Sequence, residues 1–428
     1  MSMRILLASD HYPPFIGGAQ RQAQLLAEGM ADRGHEVSVV TTWSGGLPTV
    51  RDENGVVVHR LKQMRTAVSP LARDGGQSHQ PPFPDPVTTW GMRRLIASLD
   101  PDLVHSYGWI TYSAAAALIR KKVPLLVTAR DYASFCATRT LMEKGSRLCS
   151  GPGVRKCLEC AGAHYGAPKG WLAAAAVGMW RPLLKGKTSA FHGVSSFVTE
   201  AHHRHLFESI NGDRRRPREI TLPDLRGDVR GERTDPGEPH LERYLSKLPQ
   251  DPFILFVGAF RRVKGLETIF SAYRRLSQPP PLVLIGTFES DTPPFPPEAT
   301  VLTDVPHAAV MAVWDRALFG VMPSIWPEPF AGTIHEAMSR GKPVISTRIG
   351  GSTDMIDETN GILVPPGDDR ALADAMAALI HDEARRELYG RAAAHKAEAF
   401  TAAAVLPRFE RIYREVIAGE RGIGEANS

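Results

Sequence analysis

The sequence predicts an α/β fold made of two successive parallel-sheet domains. Three observations predict it. Short apolar runs, such as RILLAS at 4–9 and FILFV at 253–257, alternate with segments of helical spacing, the pattern of parallel strands joined by crossover helices. That alternation occurs twice, and a polar stretch at 226–250, rich in Gly, Pro, Asp, Glu and Arg, separates the two series. Glycine-bearing loops follow the first strand of each series, at the sheet edge where open α/β sheets bind ligands.

Taken in order, RILLAS is a strand, DHYPPFIGGAQ a loop, and 20–33 a helix with Leu25, Leu26, Gly29 and Met30 on one side. Gly17 and Gly18 let backbone approach a phosphate closely. HEVSVVTT and GVVVHRLK are the next strands. Residues 65–86 lack periodicity and read as a loop. A helix at 90–99 precedes PDLVHSYG, whose strand ends at His105, and a helix at 112–120 precedes PLLVTARD, which ends at Arg130 and Asp131. The segment 171–180 is too short to span a membrane, which takes about 20 apolar residues, and reads first as a packed alanine-rich helix and second as a membrane contact. A strand at 189–195 leads into the helix SSFVTEAHHRHLFES, whose basic face continues into NGDRRRPRE. That face reads first as solvated surface and second as a site for acidic lipid heads or an acidic acceptor. The second series is FILFVGAF, the loop RRVKG, the helix LETIFSAYRRL, the strands PLVLIG and ATVLTDV, the helix AAVMAVWDRA, the strand LFGVMPS, and further helices to residue 400. A last helix occupies 402–417. The domains are placed at 1–225 and 251–400, with a linker at 226–250 and the terminal helical segment at 401–428.

The chain has 428 residues and a net charge of +5, which is only mildly basic and lacks the dense basic patch a nucleic acid needs, so an anionic ligand or a membrane surface fits better. The start runs directly into an apolar strand, so no signal peptide and a cytoplasmic location are expected. The four cysteines, Cys136, Cys149, Cys157 and Cys160, fall in an insertion at 130–170. Clustered cysteines in that compartment favour metal, but only one pair has the two-residue spacing. Structural zinc, disulfides and free thiols stay open, and no catalytic zinc is assigned.

The most informative stretch is 323–367. Glu328 stands between Pro327 and Pro329, which places it on an extended loop. Ala331, Gly332 and Thr333 then open a helix that carries Ile334, Ala337 and Met338 on its buried side. A glycine at a helix start presents unpaired N–H groups to an anion. Glu336 is expected in the first turn, within reach of a sugar hydroxyl beside that anion. The arrangement suits a sugar nucleotide.

Together these residues resemble the retaining glycosyltransferases of family 4, which have the GT-B fold. The resemblance rests on the Gly17–Gly18 loop, VGAFRRVKG, the E-x7-E of Glu328 and Glu336, EAMSRGKPVIST, the IGG at 349–351, and NGILVPPGD, all in family order. It implies two Rossmann-like domains facing each other across a cleft, the donor on the C-terminal one, the acceptor on the N-terminal one, and a final helix crossing back to the first domain. It implies that Lys264 grips the donor diphosphate, aided by backbone at Gly17, Gly18, Gly332 and Thr333, with Phe330 and Ala331 in the same loop. Glu328 would face the transferred sugar and Glu336 the ribose. No catalytic metal is expected. The acceptor would be a saccharide, a lipid-linked sugar or a small molecule, with polysaccharide, glycolipid or glycosylated-metabolite synthesis as the setting and a peripheral contact at the inner membrane face as an option.

Three positions depart from the family. Ala259 replaces a basic residue, with Arg261 or Arg262 as substitutes at longer reach. Arg130 replaces a histidine, in a TARDY segment that with the four cysteines resembles a subgroup, and leaves His105 and Arg130 as catalytic candidates. ITLPDL stands where an Asn-Gly is usual. The alternatives are a nucleotide-sugar epimerase of the same fold and a non-catalytic binding protein. The EAMSRGKPV segment favours the transferase over the first; Lys264, Glu328 and Glu336 argue against the second.

Overall fold

The computed structural model describes residues 2–15, 18–64, 80–208, 216–226 and 241–426. Gly17, most of the loop predicted at 65–86, the end of the basic run at 209–215 and most of the predicted linker lie outside them. The chain divides into two compact units. One comprises Met1–Lys144, Cys149–Val229 and Ala402–Ser428; the other comprises Gly145–Leu148 and Arg230–Thr401.

The first unit holds an eight-stranded sheet of β1 (Arg4–Ser9), β2 (Glu36–Thr42), β3 (Val50–Glu53), β4 (Val56–Leu61), β5 (Leu103–Tyr107), β6 (Leu125–Ala129), β9 (Ala190–Gly193) and β10 (Arg218–Thr221). Between β6 and β9 lie the two-residue strands β7 (Met142–Glu143) and β8 (Arg147–Leu148). The sheet order is β10-β9-β6-β5-β1-β2-β4-β3, parallel except for β3 against β4. The crossovers include α1 (Gly18–Asp32), α2 (Pro86–Leu99), α3 (Ile110–Ala117), α4 (Val154–Tyr165), α5 (Lys169–Lys187) and α6 (Ser196–His202). Strands covered on both faces need continuous apolar runs, and β5 and β6 are buried at every residue. Asp85 starts α2 by accepting from the Thr88 amide at 2.9 Å, with Pro86 at the first helical position, where its missing N–H costs nothing.

The second unit begins with the one-turn α7 (Glu242–Leu245) and holds six parallel strands. These are β11 (Phe253–Val257), β12 (Leu282–Ile285), β13 (Thr300–Leu302), β14 (Ala317–Met322), β15 (Val344–Thr347) and β16 (Gly361–Val364). Their order is β13-β12-β11-β14-β15-β16, which is the 3-2-1-4-5-6 order of a dinucleotide-binding sheet, with its switch point between β11 and β14. Its helices are α8 (Leu266–Tyr273), α9 (His307–Arg316), α10 (Gly332–Ser339), α11 (Ser352–Met355), α12 (Asp369–His381) and α13 (Glu383–Ala397).

The last helix, α14 (Ala402–Ala426), returns to the first unit. Val405, Leu406, Phe409, Ile412 and Tyr413 join the core that Ile5, Leu7, Leu26 and Val39 form. Its apolar residues recur at three and four positions, so one stripe faces that core.

Candidate functional site

In the second unit, two loops leave the C-terminal ends of the strands that flank the switch point. The loop after β11 runs through Ala259 and Arg261 to a tight turn at Arg262–Lys264 and ends on Gly265. Gly265 has φ +80°, and a Cβ there would lie 2.0 Å from the Pro323 carbonyl oxygen, so only glycine lets the two loops touch. Ile325 N–H donates to the Val263 carbonyl at 2.9 Å and fastens them together. This contact brings Lys264 to Glu328.

The Lys264 ammonium donates to the Glu328 carboxylate in a short ion pair, with side chains 22% and 16% exposed. Lys264 also lies 5.6 Å from the centre of the Trp326 ring, and Ser324 Oγ donates to the other Glu328 oxygen at 2.9 Å. Glu328 sits on irregular backbone between its prolines, as the sequence predicts. Its carbonyl accepts from Gly351 N–H at 2.7 Å, and a Cβ on Gly350 (φ +66°) would come within 2.4 Å of that same carbonyl oxygen. The IGG run therefore cradles the Glu328 backbone.

The chain then enters α10 at Gly332. Ala331 precedes it in an extended conformation and supplies no side-chain cap, so the first amides of α10 are presented at the end of the sheet. Ile334, Ala337 and Met338 are buried, as predicted. Glu336, expected in the first turn, lies in the second, because the helix starts at Gly332. It pairs with His307 at 3.3 Å. Phe330 and Ala331 are buried: Phe330 packs edge-on against Phe400 with ring centres 5.5 Å apart, which fixes the loop. Thr333 Oγ1 lies 3.2 Å from the Met322 sulfur. Arg261 and Arg262 are turned to other partners, Asp291 at 3.1 Å and Glu267 at 3.5 Å.

The first unit has its own switch point between β1 and β5, and a cavity of about 260 Å³ opens there, lined by Asp10, Tyr107, Arg130, Asp131 and Arg139 among others. Asp10 leaves the end of β1 and accepts from the Trp109 and Ile110 amides at 3.0 and 2.6 Å, capping the start of α3. Burial pushes its carboxyl up to about 6, against the pull of Arg139 and of those two amides. Arg139 pairs with Asp131 at 2.5 Å. Arg130 pairs with Asp224 at 2.9 Å and lies over the Tyr107 ring. Sequence reasoning named Arg130 but missed Asp10, Asp131 and Arg139 as wall residues, and Asp224 as the partner of Arg130. The signal available was the position of Asp10 and Asp131 just past buried strands.

His105 is corrected as a catalytic candidate. It is fully buried and both ring nitrogens are taken, Nδ1 by Tyr413 Oη at 2.7 Å and Nε2 by Thr128 Oγ1 at 2.6 Å. Burial holds it neutral, far below its ordinary pKa, with His192 and Arg130 adding to the effect. It ties β5 and β6 to α14. Gly18 opens α1 and is exposed.

The four cysteines are free in this structure and half-buried. Cys157 and Cys160 lie one turn apart on α4 and accept from the Gly153 and Lys144 amides at 3.4 and 3.3 Å. Burial, then the charges of the other three cysteines, raises the pKa of Cys160. Yet among the described residues no group of three or more His, Cys, Asp or Glu side chains is placed to hold a metal ion. The four thiols are near enough for the other three to act on Cys160.

Fold and site define a protein of two Rossmann-like units with the GT-B fold, one of them carrying a switch-point site suited to an anionic nucleotide. Residues 17–216 match the family model "Glycosyl transferase 4-like domain" and residues 242–396 match "Glycosyl transferases group 1", so the chain carries both domains of that group of glycosyltransferases. Among curated relatives, the O-antigen chain mannosyltransferase C of Escherichia coli is 30% identical over 177 residues, 39% of this chain and 47% of that protein. The chain thus spans about half the length of that relative. Among solved structures, sucrose-phosphate synthase from Thermosynechococcus elongatus superposes with a TM-score of 0.68 at 20% identity, over 97% of this chain and 99% of that one. Anabaena HepE in complex with UDP-glucose superposes with a TM-score of 0.64 at 15% identity, over 96% and 100%.

Proposed function

We propose that the chain is a retaining glycosyltransferase that moves a hexosyl group from a nucleoside-diphosphate sugar, UDP-sugar first, to an acceptor hydroxyl. The observation that carries this reading is the Lys264–Glu328 pair beside the uncapped start of α10, at the switch point of a dinucleotide-type sheet. The leaving group is a diphosphate, whose negative charge grows as the sugar bond breaks. A lysine ammonium and fixed backbone amides stabilise that charge without reorganising. In this role Lys264 leaves Glu328 for the diphosphate, and the amides of Gly332 and Thr333 take further phosphate oxygens. Glu328 then faces the sugar, and Glu336 exchanges His307 for the ribose hydroxyls. The C1–O bond to the diphosphate breaks, the acceptor oxygen bonds to C1 from the same face, and the acceptor proton passes to the leaving diphosphate. The first unit's cavity, with Arg130, is the proposed place for the acceptor. Support for UDP comes from HepE, which is solved with UDP-glucose. Incubation with UDP-, GDP-, ADP- and dTDP-sugars should show slow hydrolysis of one of them, abolished by Glu328→Gln. Hydrolysis of none, or conversion to a new nucleotide-sugar without an acceptor, would overturn the reading.

A further inference from the structure

The helix α5 carries an arrangement opposite to that of an ordinary surface helix. Its buried positions, Gly170, Val177 and Leu184, face the protein. Gly170 sits so close to α4 that a Cβ there would lie 2.0 Å from the Ala161 carbonyl oxygen, so the helix is held backbone to backbone against its neighbour. The exposed residues of its length from 171 to 186 are Trp171, Leu172, Ala175, Gly178, Met179, Pro182 and Gly186, without a polar side chain among them. Intervals of three, four and seven place them on one stripe. Trp171, Leu172 and Met179 are 51%, 69% and 71% exposed. The sequence alone suggested a packed helix here; the structure turns this face outward instead. The charges on α5 are all positive, namely Lys169, Arg181, Lys185 and Lys187, and the helix has no acidic residue. At the start of α4, Val154 is 85% exposed next to Arg155 and Lys156, and Arg155 pairs with Glu159 at 2.9 Å.

An exposed apolar stripe on a helix whose own charges are all positive matches one environment chemically, a bilayer interface carrying anionic headgroups. There the apolar residues enter the acyl boundary and the lysines meet phosphates. No helix among the described residues is long and apolar enough to cross a membrane, so α5 would lie in the interface plane. We infer that the exposed face of α5 docks the protein on an anionic lipid surface. This inference rests on α5 alone and stands independently of the donor site.

The test is flotation of the full chain with phosphatidylcholine vesicles and with mixed phosphatidylcholine–phosphatidylglycerol vesicles. The expected result is binding to the mixed vesicles, weakened by salt, and reduced by at least about tenfold in Leu172→Gln/Met179→Gln. Lys185→Gln/Lys187→Gln should lower binding to the mixed vesicles only. Because Leu172 and Met179 are exposed, their replacement should leave the melting temperature unchanged. Absence of binding to mixed vesicles, or equal binding by the apolar variant, would overturn the inference. So would a dimer in light scattering that Leu172→Gln/Met179→Gln dissolves, which would assign the face to a second copy of the chain.

Discussion

The pairing of Lys264 with Glu328 leads to an uncommon expectation: removing a carboxylate from the donor site should tighten nucleotide binding. In the free protein Glu328 occupies the ammonium proposed to receive the diphosphate. Two unit charges about 4 Å apart at an effective dielectric constant of about 20 attract by about 4 kcal/mol. Both side chains retain some solvent contact, at 22% and 16% exposure, and Ser324 continues to hold the carboxylate once the lysine leaves, so the net competition is smaller. A value of about 1–2 kcal/mol is reasonable, or roughly 5- to 30-fold in Kd. Glu328→Gln should therefore bind UDP that much more tightly in isothermal titration calorimetry while losing turnover, because the sugar-facing carboxylate is gone. Lys264→Ala should do the opposite and weaken UDP by about 2–3 kcal/mol, roughly 30- to 150-fold. An unchanged or weaker UDP affinity in Glu328→Gln would refute the competition and with it the placement of the diphosphate at Lys264.

Other expectations follow from the same geometry. Gly350→Ala places a Cβ 2.4 Å from the Glu328 carbonyl oxygen at positive φ, so it should cost about 1–3 kcal/mol in a denaturant titration and weaken the donor by displacing the Glu328 loop. Tyr413→Phe removes the 2.7 Å partner of buried His105 Nδ1 and leaves it only Tyr107 Oη at 3.3 Å, so it should lower stability by about 0.5–1.5 kcal/mol, with donor affinity unchanged in calorimetry. Stability should fall as pH drops from 6.5 to 4. Burial lowers His192 and His202 from 6.5 to about 4, so the unfolded chain binds more protons in that window, and each histidine takes away about 3 kcal/mol. Asp10, raised from 3.8 to about 6, acts in the opposite direction by about 3 kcal/mol, while buried His105, also lowered, adds to the loss, so melting curves across this range should register a net fall. Unfolding without reductant should expose four titratable thiols; fewer would mean that a disulfide forms in solution.

The strand–helix alternation was legible because buried parallel strands must be apolar throughout, and FILFV and LLVTA leave little choice. The loop at Glu328 was legible for a local reason, since two prolines exclude a helix there. Its partner Lys264 is 64 residues away, and their meeting depends on Gly265 fitting under Pro323, which only the fold reveals. The short strand β3 was missed: VRDE is exposed and polar and owes its conformation to pairing with β4. The partners of Arg261 and Arg262, Asp291 and Glu267, were not legible in the sequence. His105 looked reactive at a strand end, until α14, arriving from the far end of the chain, brought Tyr413 onto it.

The central claim is that the switch point of the second unit binds a nucleoside-diphosphate sugar through Lys264, Glu328 and Glu336. Calorimetric titration of the parent chain and of Glu336→Ala with the UDP-, GDP-, ADP- and dTDP-sugar panel tests it most directly. Binding of one donor class, UDP-sugars first, with the affinity strongly reduced in Glu336→Ala, is the predicted result. Binding of none of the four, or an affinity that Glu336→Ala leaves unchanged, would contradict it.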